Sequence, residues 1–201
     1  MAKYKSIEWI KETGSLRLLN QLILPGKLEY KDYTTADDIA EAIRDMTVRG
    51  APAIGVAAAY GLLAAAHEVS GSGIDSVKSK LASADKILRA SRPTAVNLFW
   101  ALDEMAKRTQ FESATDELAL VASLEAAADA IAQEDVVINT SIGENAMSLM
   151  PEHKVTFIHH CNTGSLATVD YGTALGIIRM AHEKGLETNV FVDETRPRLQ
   201  G

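Results

Sequence analysis

The sequence predicts an α/β chain in two parts. Residues 1–150 read as an N-terminal domain of a small antiparallel sheet plus helices, and residues 151–201 as the first βαβ part of a second domain. Three patterns carry this. Before residue 35, apolar and polar residues alternate, the period of a half-buried strand. From Thr35 to Leu149 apolar residues recur three and four positions apart, the period of helices. After Pro151 come a short apolar run, a glycine-bearing loop, a helical stripe and a second apolar run.

Residues 4–34 are expected to form a meander. Ile7 and Trp9 alternate with polar neighbours, Thr13-Gly14 marks a turn, and Leu16 and Leu18 alternate again. Leu24-Pro25-Gly26 is a second turn signal ahead of Leu28 and Tyr30. Thr35, with Asp37 and Asp38 behind it, caps a helix whose apolar face is Ile39, Ile43 and Met46. Pro52 fits the first turn of the next helix, where its missing N–H costs nothing. The run from there to Ala66 is apolar on most faces, which places that helix at the centre of its domain.

Ser70-Gly71-Ser72-Gly73 leads to a third helix with Ile74, Val77, Leu81, Ala84 and Leu88 on one face. Pro93 ends it, because the residue before a proline is driven out of the helical region. Leu98, Ala101, Leu102 and Met105 mark a fourth helix. Thr115 with Asp116 and Glu117 opens a stripe of Val121, Leu124, Ala128 and Ile131, which resumes at Ile138, Ile142 and Leu149. Periodicity leaves open one long helix or two that break near Glu134-Asp135. Glu125, Asp129 and Glu134 read as a solvated face.

Beyond Pro151, Val155–Ile158 reads as a buried strand. A helix from about Tyr171 to Lys184 follows, with Leu175, Ile178 and Ala181 on one face. Gly185 stops it, and residues 188–192 form a second strand. One helix cannot cover both faces of a parallel sheet. The sheet is therefore expected to continue past Gly201, and the chain to be a piece of a longer one.

Composition narrows the function classes. A formal net charge of −7 argues against a nucleic-acid-binding surface spread over the molecule. One cysteine excludes an intrachain disulfide and favours a reducing compartment. The start, MAKYKSIEWIK, has no apolar core of the kind a signal peptide needs. The longest uncharged run, Gly50 to Ala66, is alanine-rich and short of the roughly 20 apolar residues that cross a bilayer. No membrane partner and a cytoplasmic location are expected.

Candidate chemistry gathers in Val155–Gly176. Cys161 follows the carboxyl end of a predicted strand and precedes a helix, the place where open α/β sheets bind ligands. His159 and His160 are neighbours in an extended backbone and point to opposite sides, so at most one need face a pocket. A lone cysteine is more often a small buried hydrophobe than a reactive group. Arg49 and Gly50 sit at the positive end of the central helix, where free N–H groups favour an anion. Arg92 is a second cation at a helix junction. Each of these is ambiguous alone.

Four stretches taken together carry a resemblance. Arg49-Gly50-Ala51-Pro52, Arg92-Pro93-Thr94, His160-Cys161-Asn162-Thr163-Gly164, and Glu194-Thr195-Arg196-Pro197 with Gln200-Gly201 resemble the methylthioribose-1-phosphate isomerases of methionine salvage. The likeness runs in order from Tyr4 to Gly201. It implies that the second domain is Rossmann-like. It also implies a wider family that includes regulatory subunits of translation initiation factor 2B and ribose-1,5-bisphosphate isomerase.

The implied reaction is aldose–ketose interconversion of 5-methylthioribose 1-phosphate and 5-methylthioribulose 1-phosphate, with no metal or organic cofactor. The anomeric oxygen carries phosphate, so the sugar ring cannot open by the ordinary hemiacetal route. By motif match, Cys161 would stabilise the transition state, and Arg49, Gly50, Ala51, Arg92 and Gln200 would contact the phosphorylated sugar. The family's general acid is an aspartate ahead of an Asn-Lys pair, and it has no counterpart up to Gly201. Asp193 precedes the Glu-Thr-Arg-Pro stretch and does not match it. The 201-residue chain alone is therefore expected to be inactive, and the resemblance implies a homodimer for the complete protein. The alternatives are ribose-1,5-bisphosphate isomerase and a non-catalytic regulatory subunit. The cysteine in its motif favours an enzyme.

Overall fold

A computed structural model describes residues 4–196. Three strands open the chain: β1 (Ile7–Ile10), β2 (Ser15–Leu19) and β3 (Tyr30–Tyr33), antiparallel in the order β1-β2-β3. Ile7 pairs with Leu18 and Trp9 with Leu16, so the predicted alternation puts all four on one buried face. Leu28, expected in the third strand, lies exposed ahead of it.

The helices begin with α1 (Ala36–Arg44), where the Thr35 hydroxyl accepts from the Asp38 N–H at 3.1 Å. Met46 does not extend its apolar face. The Thr47 N–H donates to the Asp45 carboxylate at 2.7 Å, and Met46 turns to φ 71° beyond the helix end. Next comes α2 (Ala51–Glu68), buried at every residue from Ala53 to Ala66 and packed against α1, α3 (Ile74–Ser91), α4 (Val96–Thr109) and α5 (Glu117–Ala146). An apolar sequence with no polar face has taken the centre, as expected. Buried side chains from Ile7 to Ile131 make one connected core.

The structure settles α5 as one helix of 30 residues, about 45 Å long. Asp116 rather than Thr115 caps it, accepting from the Ala119 N–H at 2.7 Å. Leu149 falls outside the stripe, exposed in a short 3-10 turn, and Ile138 and Ile142 are exposed too. The acidic face is not simply solvated. Glu134 pairs with Arg108 at 2.8 Å, Lys11 bridges Glu125 and Asp129, and the Tyr60 hydroxyl donates to Asp129 at 2.9 Å.

The last described elements are β4 (Lys154–His159), α6 (Ala174–Glu183) and β5 (Glu187–Val192). The two strands are parallel, with His159 opposite Val192. The expectation of a buried β4 is corrected: Ile158 is 83 % and Phe191 67 % exposed, because the described residues leave one face of this sheet uncovered. α6 starts three residues later than predicted. Tyr171 and Gly172 have φ of 73° and 93°, and Leu175 is exposed rather than on the packed face. Among the described residues, no helix is long and apolar enough to cross a membrane.

Candidate active site

Beyond β4, residues 161–172 form a loop that the N-terminal part of the chain holds at five successive residues, the first being Ser165, whose Oγ meets the Tyr4 hydroxyl at 2.9 Å. The Leu166 carbonyl accepts from Gln21 Nε2 at 2.8 Å, the Ala167 carbonyl from the Ala53 N–H at 3.1 Å, and the Thr168 carbonyl from Ser6 Oγ at 2.7 Å. The Val169 N–H donates to Asp135 Oδ2 at 2.7 Å. A loop folded against the protein must place its backbone polar groups somewhere, and this one spends them on four separate segments. Contact is closest at Gly50, where φ is 105° and a Cβ would lie 2.3 Å from Ala167 Cα. Only glycine meets both conditions. Within the loop, Thr163 Oγ1 bonds His159 Nε2 at 2.6 Å and accepts from the Leu175 N–H at 2.9 Å.

The loop closes one side of a cavity of about 720 Å³ lined by Gly50, Ala51 and Pro52 at the start of α2, by Arg92 between α3 and α4, and by Cys161, Asn162 and Thr173. Cys161 is exposed, with φ 72°. Among the described residues, no hydrogen-bond or ion-pair partner engages the Arg92 guanidinium. The start of α2 has a glycine at its cap and no side-chain cap. A guanidinium beside a helix start is an arrangement that suits an anion, although Pro52 has no N–H and the Ala53 N–H is spent on the Ala167 carbonyl.

Four of the six residues picked out by sequence, Cys161, Arg92, Gly50 and Ala51, thus line one cavity. Arg49 does not line it. Its guanidinium is buried, with Nε donating to Gln21 Oε1 at 3.3 Å and a terminal nitrogen to the Gln21 carbonyl at 3.2 Å. Gln200 lies outside the described residues. Neither neighbouring histidine lines this cavity: His159 is buried on Thr163, and His160 is exposed on Asp193 at 2.9 Å. Sequence reasoning passed over Asn162, whose Nδ2 is buried without a hydrogen-bond partner among the described residues. The Asn-Thr-Gly cluster was a visible signal, but nothing in it separates a ligand donor from a turn former.

A second cavity of about 430 Å³ lies alongside and shares Pro52, Val96, Asn97 and Thr173 with the first. Trp100, Ile131, Ile138 and Ile142 make its lining mainly apolar. Asp135 stands at its edge, and burial holds its carboxyl above the usual range, against the opposing effects of the Val169 N–H and Asn139. The native chain therefore keeps this proton to higher pH than the unfolded chain does. The stability it contributes is present below the ordinary aspartate value, about 4, and is lost as pH rises through the raised native value. Asp135→Asn should flatten that dependence, its side-chain oxygen still accepting from Val169. Urea unfolding from pH 4 to 7 checks this, and parallel curves for variant and wild type would refute it.

Comparisons with known proteins bear on the family and the fold. The pattern of the Initiation factor 2 subunit family matches residues 47–201. Methylthioribose-1-phosphate isomerase 2 of Pseudothermotoga lettingae is 54 % identical over all of this chain and 56 % of its own length. The crystal structure of 5-methylthioribose 1-phosphate isomerase from Pyrococcus horikoshii OT3 superposes with a TM-score of 0.89 at 37 % identity, covering all of this chain and 55 % of that one. That of translation initiation factor eIF-2B subunit delta from A. fulgidus gives 0.86 at 38 %, covering 99 % and 57 %. The chain thus spans little more than half the length of the relatives it matches. With three quarters of its residues inside the family pattern and its fold shared by two solved relatives, the chain belongs to the Initiation factor 2 subunit family.

Proposed function

We propose that the protein is a sugar-phosphate isomerase acting on 5-methylthioribose 1-phosphate, and that this chain supplies the phosphate-holding and thiol side of its site. One observation carries the reading: Cys161, Arg92 and the start of α2 line the same cavity. Arg92 would clamp the phosphate through two parallel N–H bonds, with the Gly50 and Ala51 backbone completing its shell. Cys161, across the cavity, would stabilise charge developing at the reacting carbons, an effect magnified where water is scarce. The adjoining apolar cavity suits a methylthio group and disfavours a second phosphate, which would be stripped of water there. The reading extends to a domain boundary near residue 150, a homodimer, a cytoplasmic location and no nucleic-acid partner, the last in keeping with a net charge of −7.

The test is turnover of 5-methylthioribose 1-phosphate and ribose 1,5-bisphosphate by the whole protein, wild type against Arg92→Ala. Wild type should prefer the methylthio sugar, and Arg92→Ala should raise KM roughly tenfold to a hundredfold, the worth of a charged hydrogen bond. Equal turnover of the bisphosphate would overturn the substrate assignment. No turnover of either would favour a regulatory subunit, a reading supported by the likeness to the A. fulgidus protein.

A further inference from the structure

Arg49 and Gln21 are an unused pair in this picture: both are buried, both are polar, and neither lines the cavity. We propose that Gln21, its amide oriented by Arg49, is the positioning residue that sets the Cys161 loop against the start of α2.

Every polar group of Gln21 is engaged. Its N–H donates to the Thr47 carbonyl at 3.0 Å and its carbonyl accepts from Arg49 at 3.2 Å. In the side chain, Oε1 accepts from Arg49 Nε at 3.3 Å and Nε2 donates to the Leu166 carbonyl at 2.8 Å. An amide can face either way, but here one neighbour can only donate and the other can only accept. Arg49 therefore fixes which end of Gln21 meets the loop. Reversed, the amide would set oxygen against oxygen at Leu166 and N–H against guanidinium at Arg49.

Leverage follows from position. Leu166 is the residue nearest Cys161 whose backbone an N-terminal element clamps. Ser165, one position nearer, is held through its side chain, its Oγ meeting the Tyr4 hydroxyl at 2.9 Å, and the Ala167 N–H donates to the Gly164 carbonyl at 2.9 Å. The far end is held separately, Thr168 by Ser6 and Val169 by Asp135. Loss of the Gln21 bond leaves the cysteine end tied to the N-terminal elements by the Tyr4–Ser165 side-chain contact, so that end shifts while Thr168 and Val169 stay seated. Arg49 then matters to the site by orienting Gln21, and it need not touch a ligand to do so.

This inference rests on the reading that Cys161 borders the substrate, so its test has a readout that needs no substrate. Gln21→Glu keeps the shape and the Arg49 contact but sets a carboxylate against the Leu166 carbonyl. In the whole protein it should lower kcat roughly a hundredfold, the cost of about 1 Å of misplacement, with KM within about threefold of wild type. The iodoacetamide alkylation rate of Cys161, followed by mass spectrometry of its peptide, should shift by about threefold or more. Gln21→Met, apolar and of similar length, should move both readouts in the same direction.

Ser6→Ala loosens only the far end and should lower the unfolding midpoint while leaving the alkylation rate at the wild-type value. Wild-type kcat and alkylation in Gln21→Glu would overturn the proposal, as would an equal alkylation shift in Ser6→Ala. If wild type turned over neither sugar, the function reading would fall, yet the alkylation comparison would still decide whether Gln21 positions the loop.

Discussion

Gly50→Ala is expected to cost about 3 kcal/mol or more of stability and to remove activity from whatever folded protein remains. Two costs add at this position. A φ of 105° is strained for any residue with a Cβ, worth about 1–3 kcal/mol. The new methyl would also lie 2.3–2.5 Å from the Cα, carbonyl oxygen and Cβ of Ala167, and forced overpacking adds about 1–3 kcal/mol. Relief requires the loop to lift, which breaks the Ala53 N–H bond to the Ala167 carbonyl and moves Cys161 away from α2. Gly71 is the control: its φ is 84° but nothing lies within 4 Å of its Cβ position, so Gly71→Ala should cost only about 1 kcal/mol. Urea unfolding of the two variants separates the strain from the clash. Equal losses would mean that the close approach of loop and helix is not real.

Cys161→Ser in the whole protein is expected to lower kcat by roughly 10²–10³-fold with little change in KM, the usual price of removing one transition-state contact. Stability should stay within about 0.5 kcal/mol, because the thiol is exposed and packs against no core. Arg92→Ala is expected to act the opposite way, chiefly through KM. That contrast between two residues lining one cavity is the kinetic signature of separate binding and chemical roles. A fully active Cys161→Ser enzyme would remove the thiol from the mechanism.

The sequence was legible where a signal is local. The Thr35 cap, the all-apolar α2, the stripes of α3 and α4 and the order β4-α6-β5 all follow from composition and period. Failures came where tertiary contacts decide. Periodicity left a break near Glu134-Asp135 open, yet α5 runs through both, and Asp135 finds its partner in a loop 34 residues away. Glu125, Asp129 and Glu134 read as solvated until Lys11, Tyr60 and Arg108 were brought to them. Arg49 was the instructive case. Its spacing to Gly50 marked a helix start, but no local pattern says that its guanidinium turns inward to Gln21. Motif position picked out residues that the fold brings around one cavity, and only the fold separates those that line it from those that pack behind it.

The clamps on the cysteine loop come from five residues, Tyr4, Ser6, Gln21, Ala53 and Asp135, and the longest reaches across 163 positions of the chain. Ties of such high contact order close slowly, so the loop that carries Cys161 is expected to be among the last features to mature during folding. They also couple that loop to distant fraying. Transient melting of the opening hairpin would loosen Tyr4, Ser6 and Gln21 on its flanks, three of the five tethers on the loop that carries Cys161.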